Sequence, residues 1–106
     1  MKQEMIEKAV IQLLYKCGYS DTDHTGAEIE PSVDSILGAD LGMDSLDVTY
    51  LGGKAEQRFD ITIPDDIVAQ WKEKSIRDVA CDIKTIMGTY NKRHDGEQET
   101  VSGQQP

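Results

Sequence analysis

The sequence predicts an all-α fold: a small four-helix bundle of three main helices and one short helix, with a long first loop. Three stretches place apolar residues at the 3.6-residue spacing of a one-sided helix. The 106 residues include one Trp and one Phe, so the core must be largely Ile, Leu, Val, Met and Ala, which suits packed helices. No alternating strand pattern or internal repeat is visible, and the length sets one domain with an economical core.

In residues 3–16 the apolar positions are Ile6, Ala9, Val10, Leu13 and Leu14, followed by Cys17, with Gly18 placed to cap the first helix. Residues 19–44 are rich in Asp, Ser, Gly and Thr and are broken by Pro31. A loop of that length is usually functional or pinned by apolar anchors, here Ile29, Val33, Ile36, Leu37 and Leu41. The second helix runs from about Ser45 to Arg58, with Val48, Leu51, Ala55 and Phe59 on its core face. Leu46, Tyr50 and Gly53 form another stripe, with Asp47 and Lys54 beside it. The mid-helix pair Gly52-Gly53 costs roughly 1 kcal/mol per glycine relative to alanine, so either a neighbour packs closely there or the helix is loose.

Pro64 suits the first turn of a short third helix over 65–70, with Trp71 capping the core beneath it. Ser75-Ile76-Arg77-Asp78 has capping-box spacing and opens the last helix. Its apolar face is Ile76, Val79, Ala80, Ile83, Ile86 and Met87, and Gly88 is expected to end it. Met5, Met43 and Met87 read as packing residues, although Met43 stands next to the candidate site. The expected domain is residues 1–90; residues 91–106, which include His94, read as a disordered, solvated polar tail.

Eleven basic residues against 20 acidic give a net charge of −9. Residues 20–66 hold twelve acids against Lys54 and Arg58, so the middle carries all of the excess. Such a field excludes nucleic acid and anionic lipid as partners and favours basic protein surfaces; the plain alternative is a solubilising surface. Cys17 and Cys81 form no CxxC and have no clustered His, which suits two buried thiols in a reducing cytosol. No apolar run reaches transmembrane length, and the amphipathic N-terminus lacks a signal peptide's apolar core. A soluble cytoplasmic monomer without stable membrane association is expected.

The chemistry centres on Ser45. A serine at a helix start is usually its N-cap, but Asp44 can take that role here, leaving the Ser45 hydroxyl to point outward. Free N–H groups and the helix dipole make that position favourable for a phosphate. From Asp40 to Asp66 the motifs are Asp40-Leu41-Gly42, Asp44-Ser45-Leu46-Asp47, Phe59-Asp60 and Ile63-Pro64-Asp65. Through them the chain resembles the acyl carrier proteins, densely over 40–66 and more loosely over residues 3–88. The resemblance makes residues 1–90 an acyl carrier domain with 4′-phosphopantetheine on Ser45, attached from coenzyme A by a phosphopantetheinyl transferase. It implies a carrier of acyl thioesters, with no catalytic residues and no metal, in fatty-acid or a related specialised lipid metabolism. Acyl-transferring and synthase enzymes would dock through basic patches. Asp44 and Leu46 would frame the site, Asp47 and Glu56 would remain as docking acids, and Tyr50 would be the exposed aromatic contact.

The second helix departs from the common fatty-acid pattern. Tyr50, Gln57 and Arg58 stand where acids are usual, Gly53 where a larger apolar residue is common, and Lys54 adds a cation. These departures point to a specialised carrier with its own partners. A carrier for polyketide or other secondary metabolism, or an unmodified acidic interaction module, are the alternatives.

Two other chemistries have partial motifs. Residues 42–46 lie one insertion away from a GDSL esterase block, and Asp21-Thr22-Asp23-His24 fits DxxH. The order is reversed from that of those hydrolases, and the chain is too short for their sheet. Asp21, Asp23, Thr25 and Gly26 match the opening of a calcium-binding EF-hand loop. Ser32 replaces its twelfth-position Glu, and Pro31 breaks the exiting helix, so an ordinary Asx-turn is the simpler expectation.

Overall fold

The computed structural model describes the backbone of residues 2–96 and the side chains of residues 2–89. α1 (Gln3–Lys16) buries Ile6, Ala9, Val10 and Leu14. Its end is a Schellman motif: Gly18, at φ 94°, donates its N–H to the Tyr15 carbonyl (3.1 Å), and Tyr19 donates to Leu14 (3.0 Å). The expected glycine stop is thus realised one residue beyond the cap at Cys17.

The first loop contains a two-stranded antiparallel hairpin, β1 (Asp21–Thr22) and β2 (Glu28–Ile29), which the sequence reading did not foresee. At its tip Asp23 Oδ1 accepts hydrogen bonds from the Thr25 N–H (2.8 Å), the Thr25 hydroxyl (2.6 Å) and the Ala27 N–H (3.1 Å). These bonds make the expected Asx-turn and hold the Asp23 carboxyl below its ordinary pKa, chiefly through Thr25. Among the described residues no three His, Cys, Asp or Glu side chains form a group able to hold a metal.

α2 (Ser45–Phe59) turns Val48, Leu51, Gly52, Ala55 and Phe59 inward. Asp60 ends it in the left-handed region (φ 56°), and Ile61 donates its N–H to the Glu56 carbonyl. α3 (Asp65–Gln70) begins after Pro64 and continues into a 3-10 turn over Trp71–Glu73. Ser75 Oγ accepts from the Asp78 N–H (3.2 Å) as α4 (Ile76–Gly96) begins, the serine half of the expected box. α1 packs chiefly along α4, while α2 packs on α3 and more lightly on α1. Gln3 Nε2 donates to the Arg77 carbonyl (3.2 Å), so the two packed helices start side by side. Trp71 and Ile83 are fully buried in the shared core. No helix among the described residues is long and apolar enough to cross a membrane.

Several expectations need correction. Gly88 does not end α4; it lacks the positive φ of a glycine cap, and the helix continues to Gly96. Six residues of the expected tail are therefore helical, and residues 97–106 lie outside the described part. Cys17 and Cys81 are free and exposed, because one caps α1 and the other lies off the Ile76–Val79–Ala80–Ile83 face of α4. Ile29 is 41% exposed and anchors nothing, since its short strand lies on the surface; Leu37 and Leu41 are the buried anchors. Met5 is exposed beside the buried Ile6, so it is not a core residue.

The two mid-helix glycines have different reasons. A Cβ on Gly52 would lie 3.0 and 3.1 Å from the two Val68 methyls, so α3 approaches closely there; a Cβ on Gly53 would meet nothing within 4 Å. Gly53→Ala should raise stability by about 1 kcal/mol through helix propensity. Gly52→Val should lower it by about 1–3 kcal/mol by forcing the helices apart. Thermal denaturation of both variants checks the pair.

Candidate functional site

Ser45 reaches its place through backbone pairing between the first loop and the segment that joins α3 to α4. Leu37 donates its N–H to the Lys74 carbonyl (3.1 Å) and Gly38 to the Lys72 carbonyl (2.8 Å), while Ile76 donates to Ser35 (3.1 Å). Met43 donates back to Leu37 (3.1 Å), with Gly42 at φ 72° making the bend. Leu37 and Met43 are buried, so Met43 anchors the loop in the core.

The chain then enters α2 through a complete capping box. Asp44 Oδ1 accepts from the Asp47 N–H (2.9 Å), and Asp47 Oδ2 accepts from the Asp44 N–H (3.1 Å). Asp44 takes the cap, as expected, and Ser45 sits exposed on the first turn. An α-helix provides no internal acceptor for its first amides, so those of Ser45 and Leu46 remain to face an anion.

Tyr19 joins this cap from the end of α1. Burial raises its phenol to a pKa of about 12, and the neighbouring Asp47 carboxylate adds to the rise. Asp47 is correspondingly held below the ordinary carboxylate range, first by the Asp44 N–H and then by the Tyr19 hydroxyl. Tyr19→Phe should lower the melting temperature by a few degrees at neutral pH. The signs follow from the two shifts. The lowered Asp47 pKa contributes stability above about pH 4, lost as pH falls through its folded value. The raised Tyr19 pKa contributes below about pH 10, lost as pH climbs toward 12. The stability gap between wild type and variant should therefore close in acid and in strong alkali, and ultraviolet titration of the variant should lack the phenol ionising near 12.

A small cavity of about 110 Å³ adjoins the serine, lined by Ser45, Val48, Thr49, Ala69 and Lys72. Lys72 lies against Gly38 so closely that a Cβ there would come within 2.8 Å of the lysine Cγ. The cavity shares Thr49 and Ala69 with an open groove of about 450 Å³ along the α2–α3 seam, whose walls include Gly52, Gly53, Ile63 and Val68. Two helix amides and an exposed serine thus lie at the head of a track between two helices, with Lys72 in the wall of the adjoining cavity.

The expected docking residues divide. Leu46 and Tyr50 are 80% and 55% exposed. The carboxylates of Asp44 and Asp47 serve the cap, and Glu56 Oε2 accepts from the Ile63 N–H (2.8 Å), tying the chain after α2 back onto the helix. Sequence reasoning missed Tyr19 and Lys72, which have no local signal, and the return half of the box, which Asp47 three residues after Asp44 could have disclosed.

The family model for the phosphopantetheine attachment site matches residues 23–80, more than half of the chain, from the hairpin tip into α4. The chain belongs to the phosphopantetheine attachment-site family. Proteins of this family are carriers with covalently attached 4′-phosphopantetheine. No curated protein and no solved structure matches the chain. The site fits the family's group: Ser45 is exposed, the adjoining amides suit a phosphate, and Lys72 lines the cavity beside the serine. The matched span also contains the loop pairing and capping box that position Ser45.

Proposed function

We propose that Ser45 carries the phosphopantetheine and that the chain is a non-catalytic carrier in fatty-acid or a related specialised lipid pathway of the cytoplasm. The observation that carries this reading is the division of labour at α2, where Asp44 caps the helix and frees an exposed Ser45. When attached, the arm supplies a terminal thiol on which acyl groups ride as thioesters. Lys72 and the Ser45 and Leu46 amides would hold the phosphate, and the α2–α3 groove would receive cargo against Ile63 and Val68. Partners are a phosphopantetheinyl transferase and acyl-transferring or synthase enzymes. The acidic loop ahead of α2 would steer basic surfaces toward the carrier. Two exposed free cysteines suit a reducing compartment.

The test is incubation of the full chain with coenzyme A and a promiscuous phosphopantetheinyl transferase, followed by intact mass and peptide mapping. One phosphopantetheine adduct on the Ser45 peptide supports the reading. An adduct elsewhere, or none on folded protein with any transferase including that of its host, overturns it.

A further inference from the structure

The charge of this carrier is not spread over the surface beside its site. Residues 20–44 hold seven acids and no base, and residues 60–66 hold three acids and no base. α2 itself is neutral, with Asp47 and Glu56 against Lys54 and Arg58. Both of its carboxylates are committed within the fold, Asp47 to the cap and Glu56 to the Ile63 N–H. Neither of its cations is ion-paired, though each lies over an aromatic ring. Among the described residues the ion pairs join Lys74 to Asp82 and Arg77 to Asp34, leaving Lys54 and Arg58 outside any ion pair. Lys54 Nζ lies 5.4 Å from the centre of the Tyr50 ring, and the Arg58 guanidinium 5.3 Å from that of Phe59.

Helical spacing sets Leu46, Tyr50, Gly53 and Gln57 on the outward face, one stripe that starts beside Ser45. Lys54 and Arg58 edge this stripe on one side, with Asp47 on the same side at the cap end, where its carboxylate bonds the Asp44 N–H. Among the described residues Leu46 and Tyr50 are two of the few large apolar side chains left exposed, and both lie within five residues of the serine. An exposed aromatic and a leucine beside two cations are the pattern of an anchored contact, with an apolar centre and a charged edge.

We infer that this face of α2 docks an enzyme surface made of an apolar pocket edged by carboxylates, while the acidic loop of residues 20–44 meets a separate basic zone of the same partner. The inference rests on Ser45 being the carrier site, since that is what brings a partner to this face. Charge complementarity decides the occupant: α2 has no net negative charge to offer a wholly basic patch, each of its two carboxylates already gives an oxygen to a backbone N–H, and Lys54 and Arg58 would oppose such a patch.

Amide-resolved NMR titration of the full apo chain with two peptide probes tests it. One is amphipathic with Leu, Trp and Glu; the other is its Leu, Trp and Lys counterpart. The acidic probe should shift the amides of residues 46–58 and bind there about tenfold more tightly than the basic probe, a difference within reach of a few charge contacts. The basic probe should shift residues 21–40 instead. Lys54→Glu with Arg58→Glu should reverse the preference on α2, and Leu46→Ala with Tyr50→Ala should abolish the acidic probe's shifts there. These residues are surface positions of α2, and circular dichroism of each variant confirms the helix. If the basic probe maps onto α2 and the acidic probe does not, the inference is overturned. The titration needs no arm, so its failure is separable from that of the carrier reading. An adduct on Ser45 with no acidic-probe binding defeats the docking face alone, whereas acidic-probe binding with no adduct defeats the carrier assignment and with it the role of the face.

Discussion

Ser45→Ala is expected to remove the phosphopantetheine adduct completely while moving the melting temperature by only about a degree or two. The loss is total because the hydroxyl oxygen is the proposed point of attachment, and alanine has no atom that can form the phosphodiester. The fold should scarcely respond because the serine does none of the work of starting α2. Asp44 and Asp47 exchange their hydrogen bonds without it. Alanine also has the best intrinsic preference for a helix interior, so the first turn loses nothing by the change. Intact mass with coenzyme A and a transferase, run beside a thermal melt, reads both halves of this result. A variant that still acquires the adduct places the attachment elsewhere.

Trp71→Ala should produce the largest loss of stability in the chain, about 3–5 kcal/mol from the emptied volume alone. A domain of this size commonly has about 5–15 kcal/mol in total, so much of the population would unfold. The indole is fully buried and donates its N–H to Asp82 Oδ2 (3.0 Å), the oxygen that also accepts from Lys74 Nζ (3.1 Å). Removing the ring therefore empties the core and withdraws one of the two donors holding a half-buried carboxylate. Trp71→Phe restores most of the volume but not the N–H, and should fall between alanine and wild type. Urea denaturation followed by far-ultraviolet circular dichroism ranks the three. The site should feel the change as well, since Lys72 and Lys74 in and beside this turn supply the carbonyls that hold Gly38 and Leu37. Loading of Ser45 in Trp71→Ala should fall with the folded fraction.

What could be read from the chain follows the range of the interactions concerned. The three main helices are written in spacings of three and four residues, and α1 occupies the expected residues 3–16. The candidate serine and its aspartate cap are likewise neighbours, and local chemistry assigns them. Contacts across tens of residues leave no such trace. Nothing near Tyr19 points to Asp47, and nothing near Gly38 points to Lys72. The hairpin escapes because two-residue strands are too short to display an alternating pattern. Glu56 shows another limit: a carboxylate on an amphipathic helix serves equally well for docking or for binding a backbone amide, and only the placement of Ile63 decides. Gly88 reads as a stop because glycine is the usual helix terminator, but that role needs a left-handed turn, and the helical continuation to Gly96 never makes one.

The pairing of residues 35–38 with 72–76 has a consequence for when the serine becomes usable. A peptide motif is available to an enzyme as soon as it is synthesised, but this one is held in register by partners that emerge from the ribosome some thirty residues later. Until the start of α4 has been made, the loop before Ser45 lacks the backbone that fixes it. For a transferase that reads the ordered loop, the proposed attachment at Ser45 would then follow folding rather than accompany synthesis.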